Sequence, residues 1–359
     1  MQKWFSSLLI ILLAFGGVIT SNGYFSPSIA PEVNTQLETK TAPAWGENWQ
    51  KTIENIENLN IAQAQEAPIT GPKINSKRLL EDVKNLVGER YEEVDRLKTI
   101  DYIIQQLKQA GWQPEERLFA GGINIFAERS GTDTEAGAIL IAAHYDTVLN
   151  SPGADDNATG IATVLEVARL LRSLPTPRTL QIAFFDQEEK GLRGSLAYTA
   201  TAENLKNLRG AIILDMLGFT CHKPGCQTYP PGLPITPPTN TGNFIAAIGD
   251  IEHWPMLATF RRSSNADLPP ILTLPIPLKG IVAPDTLRSD HAPFWYKGIG
   301  AVLVTDTANL RTPHYHQHTD TINNIDRKFF IGSAQIVVNA TKGLLESKNN
   351  LEQKPKSEE

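Results

Sequence analysis

Phe184–Ser195, FFDQEEKGLRGS, is the stretch whose reading decides the fold of this chain. It closes an apolar run, Thr179–Phe185, that reads as a buried strand, and then places Glu188 and Glu189 side by side where that strand stops. Gly191 and Gly194 let the chain turn away, and a helical pattern begins near Ser195. Two adjacent carboxylates at the mouth of a sheet repel each other and are costly to desolvate. The segment therefore calls for a positive charge, or a shared proton, from elsewhere in the chain.

Further short apolar runs, at Ile123–Ala127, Gly137–Ala143, Gly210–Leu214 and Gly300–Thr305, also read as strands. Apolar residues at helical spacing predict helices over Ser76–Leu86, Val94–Ala110, Gly160–Leu171, Leu192–Leu208, Asn243–Arg262, Ala292–Lys297 and Arg327–Leu345. Pro-rich loops are expected over Tyr229–Thr239 and from Arg262 through Pro284. This alternation predicts a three-layer α/β fold, a mostly parallel mixed β-sheet with helices on both faces.

In such sheets ligands bind beyond the carboxyl ends of the strands. Those ends read as follows: His144-Tyr145-Asp146 after the Gly137 run, the Glu188–Glu189 pair, Asp215 after the Gly210 run, and His314-Tyr315-His316-Gln317-His318-Thr319-Asp320 after the Gly300 run and a loop. Asp155 and Asp156 lie in the loop leading to the Gly160 helix. Each alone has an ordinary explanation, such as a helix cap for Asp155-Asp156-Asn157. Together they gather acids and histidines at one edge of one sheet. Two histidines and three carboxylates without cysteine suit zinc, and five ligands suit two ions sharing a carboxylate.

The pieces HYDT, PGADDNATG, FDQEEKGLRGS, LDMLG, SDHAPF and YHQHTDT occur in this order over roughly 137–328. This set resembles the M28 family of zinc aminopeptidases. The resemblance implies a zinc-exopeptidase fold of the phosphorylase/hydrolase-like kind, two Zn2+ ions, and release of the first residue from peptide or protein N-termini. It implies His144, Asp156, Glu189, Asp215 and His316 as zinc ligands, with Asp156 as the bridge, His144 and Asp215 on one ion, and Glu189 and His316 on the other. Glu188 would be the general base and Tyr315 would stabilise the oxyanion. Asp146, Asp155, Asp290 and Asp320 would support the ligands, and His291 would be structural. Three rival readings belong beside it: a single-zinc glutaminyl cyclase, a carboxypeptidase-like member of the same clan, and a catalytically inactive receptor-like module. The aromatics Phe219, Tyr229, Trp254 and Phe260 lie in or beside the loops expected to build the pocket for the first residue.

The remaining sequence sets the context. A net charge of -6 and the lack of a basic cluster argue against nucleic acid as a partner. Lys3 followed by the apolar run Leu8–Ile19 reads as a signal peptide over 1–23, or an uncleaved anchor that would be the chain's one link to a membrane. Export, to a periplasmic or extracellular location, follows from either. Residues 24–73 are expected to be a flexible extension, 74–346 a single catalytic domain, and 347–359 a disordered tail. The two cysteines, Cys221 and Cys226, are either one short-loop disulfide, which export permits, or two free thiols. Asn157-Ala-Thr and Asn339-Ala-Thr match a glycosylation pattern, but one lies within the acidic motif and the other on a helix. Composition says nothing of oligomeric state.

Overall fold

The computed structural model describes residues 67–352 apart from 231, 232, 234–237, 282, 348 and 349. The signal segment expected at 1–23, most of the extension and the end of the tail lie outside the described residues. The strands are β1 (Glu115–Phe119), β2 (Gly122–Arg129), β3 (Ala138–His144), β4 (Thr179–Phe185), β5 (Leu208–Leu214), β6 (Ile245–Asp250), β7 (Ile271–Ile276) and β8 (Ala301–Thr305). They form one sheet in the order β1-β2-β4-β3-β5-β8-β6-β7. The centre, β4-β3-β5-β8, is parallel, whereas β2 and β6 join it antiparallel on either side.

The helices are α1 (Ser76–Leu86), α2 (Glu93–Gln109), α3 (Gly160–Leu171), α4 (Arg193–Ala200), α5 (Ala202–Leu205), α6 (Trp254–Arg262), α7 (Ala292–Tyr296) and α8 (Arg327–Glu346). Because side chains alternate along a strand, each central strand feeds two separate cores. On β3, Ile139, Ile141 and Ala143 pack beneath α1, α2, α3, α6 and α8, while Leu140 and Ala142 face Tyr198 of α4 and Phe294 and Trp295 of α7. Burial on both faces explains why these strands are apolar over most of their length rather than alternating, with Gln181 and Arg209 falling near the less buried starts of β4 and β5. The expected three-layer architecture is what is observed.

Several elements differ from the sequence reading. The helix expected over Asn243–Arg262 is β6, a short turn and then α6. Its first part, IAAIGD, is an apolar run short enough to serve either state, and strand wins because both its faces are covered. The second Pro-rich loop contains β7, which tolerates Pro275 because it is an edge strand. β1, charged and largely exposed, was not expected at all. The single helix expected over Leu192–Leu208 breaks at Thr201 into α4 and α5 before β5 begins.

The domain is also longer at both ends than expected. The Ile69 N–H donates to the Arg262 carbonyl at 2.8 Å, and the Gly71 N–H to Asn339 Oδ1 at 2.8 Å. Residues 67–73 are thus laid against α6 and α8 rather than flexible. Beyond α8, Leu351 is 3% exposed and belongs to the larger core. Asn157 and Asn339 are both buried, which leaves no room for a glycan. Cys221 and Cys226 form a disulfide.

Candidate metal centre

The carboxyl ends of β3, β4 and β5 meet where the chain, having crossed from β3 to β4, returns past β3 to form β5. His144 is the last residue of β3. After β4 the chain turns sharply, and Gly191 lies at φ +94°, in the left-handed region that glycine enters freely. At Gly194 an added Cβ would lie 2.5 Å from Asn124 Oδ1, so the turn folds back tightly and leaves Glu188 and Glu189 at the sheet edge. Asp215 follows β5, the turn Ala154–Thr159 brings Asp155 and Asp156, and the loop after β8 brings Tyr315 and His316.

The two imidazoles flank one carboxylate. His144 Nε2 lies 3.2 Å from Asp156 Oδ1 and 3.7 Å from Asp215 Oδ1. His316 Nε2 lies 3.4 Å from Asp156 Oδ2 and 3.0 Å from Glu189 Oε2. Asp156 therefore turns one oxygen to each group. Donors placed tetrahedrally about 2.1 Å from a zinc ion are separated by about 3.4 Å, and the four distances bracket that value. His316 Nε2 and Glu189 Oε1 are buried without a hydrogen-bond partner among the described residues, so both are available as donor atoms. The triads His144-Asp156-Asp215 and Asp156-Glu189-His316 fit zinc in donor type, number and spacing. The histidines two residues to either side of His316 stay outside: His314 Nδ1 pairs with Thr319 Oγ1 at 2.9 Å, and His318 is exposed.

The supporting acids have distinct tasks. Asp146 Oδ1 sits 3.4 Å from His144 Nδ1 and accepts the Glu188 N–H at 3.0 Å, while Oδ2 accepts the Glu189 N–H at 3.2 Å. Asp320 accepts the N–H of Asp155 at 2.9 Å and of Asp156 at 3.0 Å, one on each oxygen. Asp155 does not cap α3, as its position suggested. Its Oδ1 accepts from the N–H groups of Leu217 and Gly218, at 3.1 and 2.8 Å, and so braces the segment that carries Asp215. Asp290 accepts from Ser195 Oγ, and its other oxygen is buried without a partner among the described residues. His291 is structural, its Nε2–H donating to the Thr286 carbonyl at 2.7 Å.

Electrostatics follow from crowding acids in a buried volume. Burial, then the charge of Asp156, pushes Glu189 up to about 7. Burial also raises Glu188, reinforced by Glu189, Asp215 and Asp290 against the opposing pull of His144. Burial would raise Asp156 too, but the adjacent imidazoles of His144 and His316 outweigh it and hold the Asp156 carboxylate well below its usual range. Burial works against protonating His316, yet Asp156 and Glu189 lift it to about 10.

Two residues here escaped the sequence reading. Arg90 is fully buried beneath the candidate donors and donates from Nε to the Tyr145 carbonyl at 2.8 Å, from Nη1 to those of Leu86 and Gly88 at 2.7 and 2.8 Å, and from Nη2 to that of Gly153 at 3.0 Å. It ties the loops bearing His144 and Asp156 to the end of α1. Arg288 lies at the mouth, its Nη2 donating to the Tyr315 hydroxyl at 3.2 Å. Tyr315 stacks on His316 with ring centroids 3.7 Å apart. Of the four aromatics expected near the first-residue pocket, Trp254 and Phe260 are instead buried in the larger core. Phe219 stands edge-on to His314 at 5.7 Å, and Tyr229 donates its hydroxyl to the Thr239 carbonyl.

Residues 124–341 match the model of peptidase family M28. The uncharacterized protein YfbL of Escherichia coli K12 is 34% identical over 230 residues, covering 60% of this chain and 68% of YfbL. The probable lipoprotein aminopeptidase LpqL of Mycobacterium tuberculosis is 29% identical over 221 residues, covering 57% of this chain and 42% of LpqL. Among solved structures, the aminopeptidase from Aneurinibacillus sp. strain AM-1 superposes with a TM-score of 0.59 at 17% identity, covering 79% of this chain and 97% of that one. At that identity the superposition speaks to the fold alone.

Proposed function

The chain belongs to peptidase family M28, and from that premise we propose that it is an exported, zinc-dependent aminopeptidase with two zinc ions that cleaves the first residue from peptides. The observation that carries the reading is Asp156, one carboxylate shared between two donor groups; Glu188 belongs to neither of these two, although it also lies within reach of His144 and Glu189. His144 and Asp215 would hold one ion, Glu189 and His316 the other, and Asp156 both. Zinc bound there supplies Lewis acidity toward a water and the scissile carbonyl.

The chain's own groups do the rest. Glu188, raised by burial, is suited to take a proton from the attacking water and return it to the departing amine. Tyr315, stacked on His316, has its hydroxyl proton free for the carbonyl oxygen because Arg288 donates to the hydroxyl rather than accepting from it. Asp146 fixes His144 and both glutamate N–H groups, and so couples ligand and base. Asp155, Asp290 and Asp320 hold the surrounding backbone and the Ser195 turn. Export is supported by the Cys221–Cys226 disulfide, since such bonds persist in oxidising compartments. Among the described residues no helix is long and apolar enough to cross a membrane.

The test is to assay the purified protein on aminoacyl-p-nitroanilides and on a Gln-initiated peptide, with and without chelator. Chelator-sensitive release of the first residue is expected. Cyclisation of Gln without cleavage would overturn the reading, and metal analysis decides between one zinc and two. Glu188→Gln should retain the metal and lose about 100-fold or more in turnover.

A further inference from the structure

Arg288 is exposed, although Ser289, Asp290 and His291 after it are all buried. Its guanidinium is held at the mouth of the centre by two neutral partners: Nη1 donates to Asn309 Oδ1 at 3.1 Å and Nη2 to the Tyr315 hydroxyl at 3.2 Å. Among the described residues it has no acidic partner. Other cations nearby are engaged: Arg90 on backbone carbonyls, Lys190 over the Tyr91 ring, Arg193 on Gln187 and the Ala120 carbonyl. A guanidinium offers five N–H donors in a fork, so most of this one remains available to a ligand.

Its position is defined relative to the reaction. If the Tyr315 hydroxyl meets the scissile carbonyl oxygen at about 2.7–3.1 Å, the scissile bond lies beside Arg288, and the residues on both sides of it come within reach of the guanidinium. Successive Cα atoms are about 3.8 Å apart, so in a dipeptide the terminal carboxylate falls within one link of the same hydroxyl. In a longer peptide that place holds an amide carbonyl, a neutral acceptor forming a hydrogen bond about half as strong.

We propose that Arg288 receives the free α-carboxylate of a dipeptide, and that unblocked dipeptides are the favoured substrate class of this enzyme. The proposal rests on the aminopeptidase reading above. A guanidinium serving only to orient Tyr315 would help every substrate equally, whereas one that binds a carboxylate helps only substrates that end there. The test compares kcat/KM for leucyl-leucine and leucyl-leucinamide, using the zinc-loaded full chain and Arg288→Gln. The wild type should favour the free acid. In Arg288→Gln the acid-to-amide ratio should fall about tenfold, whatever loss the two substrates share through Tyr315. An unchanged ratio, or a wild type that prefers the amide, overturns the proposal. Failure of the underlying reading looks different: no leucine released from either substrate by the wild type.

Discussion

Asp146→Asn exchanges one oxygen for an amide at a residue whose side chain is 2% exposed, which accepts from two N–H groups and faces a third nitrogen, His144 Nδ1. No orientation of asparagine can satisfy all three. With its NH2 in the place of Oδ2, it meets the Glu189 N–H, 3.2 Å away in the wild type, donor against donor. With its NH2 in the place of Oδ1, it meets both the Glu188 N–H at 3.0 Å and His144 Nδ1 at 3.4 Å. His144 can then relieve the conflict only by moving its proton to Nε2, the nitrogen that faces Asp156 and Asp215. One hydrogen bond to a charged acceptor is lost in either case, a cost of about 1.5–3 kcal/mol. That corresponds to a loss of about 10–100-fold in zinc affinity, the range usual for partners that orient metal ligands. Competition against a chromogenic chelator measures the affinity, and turnover at saturating zinc reports the displaced Glu188 backbone. Zinc affinity within threefold of the wild type, with full turnover, would refute the role assigned to Asp146.

The remaining expectations concern stability. Arg90→Met strands several buried carbonyls and removes a cation from an acidic cradle, so it should destabilise the fold by about 3–5 kcal/mol, read by urea unfolding; a loss under about 1 kcal/mol would show that water replaces the guanidinium. Burial lowers His291 to about 4, against about 6.5 in the unfolded chain, so its contribution to stability is full above pH 6.5 and disappears as pH falls toward 4, by up to about 3 kcal/mol. The stability of His291→Gln should fall less steeply than the wild type over that window, and equal slopes would contradict the assignment. Replacing both Cys221 and Cys226 with Ser opens a loop with a sequence separation of only 5 and should cost about 2 kcal/mol while leaving zinc content unchanged. Loss of zinc in that variant would mean the loop supports the centre directly.

How much of this could be read from the sequence depended on whether the signal was local. β3, β4, β5 and β8 are largely apolar because both faces are buried over most of their length, and each is followed by a candidate site residue. β6 and β7 contain Gly249 and Pro275, which weaken a strand pattern and are tolerated only because these strands lie at and next to the sheet edge. The choice of His316 over His314 and His318 needed the family pattern, since three histidines within five residues are equivalent by composition. Arg90 gave no signal: its partners are backbone carbonyls, converging from the end of α1 and from the connection after β3, and carbonyls have no sequence identity. Arg288 was hidden for a related reason, because its partner Tyr315 is 27 residues away.

The charge that Glu188 and Glu189 require is provided in two unequal parts. Arg90 supplies a fixed cation from below, and burial lowers it to about 10 even with Asp156, Asp320, Asp146 and Glu189 opposing that shift. One guanidinium cannot balance the acids gathered there. Burial lifts Asp290 to about 7 and Asp320 to about 7, and against the effect of burial the acids lift both imidazoles above their usual value, so the cluster favours taking up protons. Zinc ligation requires the reverse, neutral imidazoles and ionised carboxylates. With the ligand set proposed here, metal and protons therefore compete for the same atoms, and occupancy weakens as pH falls below about 7, the region in which Glu189 titrates. Glu188 feels this competition without joining the ligand set. Its burial keeps it basic, and its place beside Glu189 ties its protonation to whether the cradle holds metal or protons.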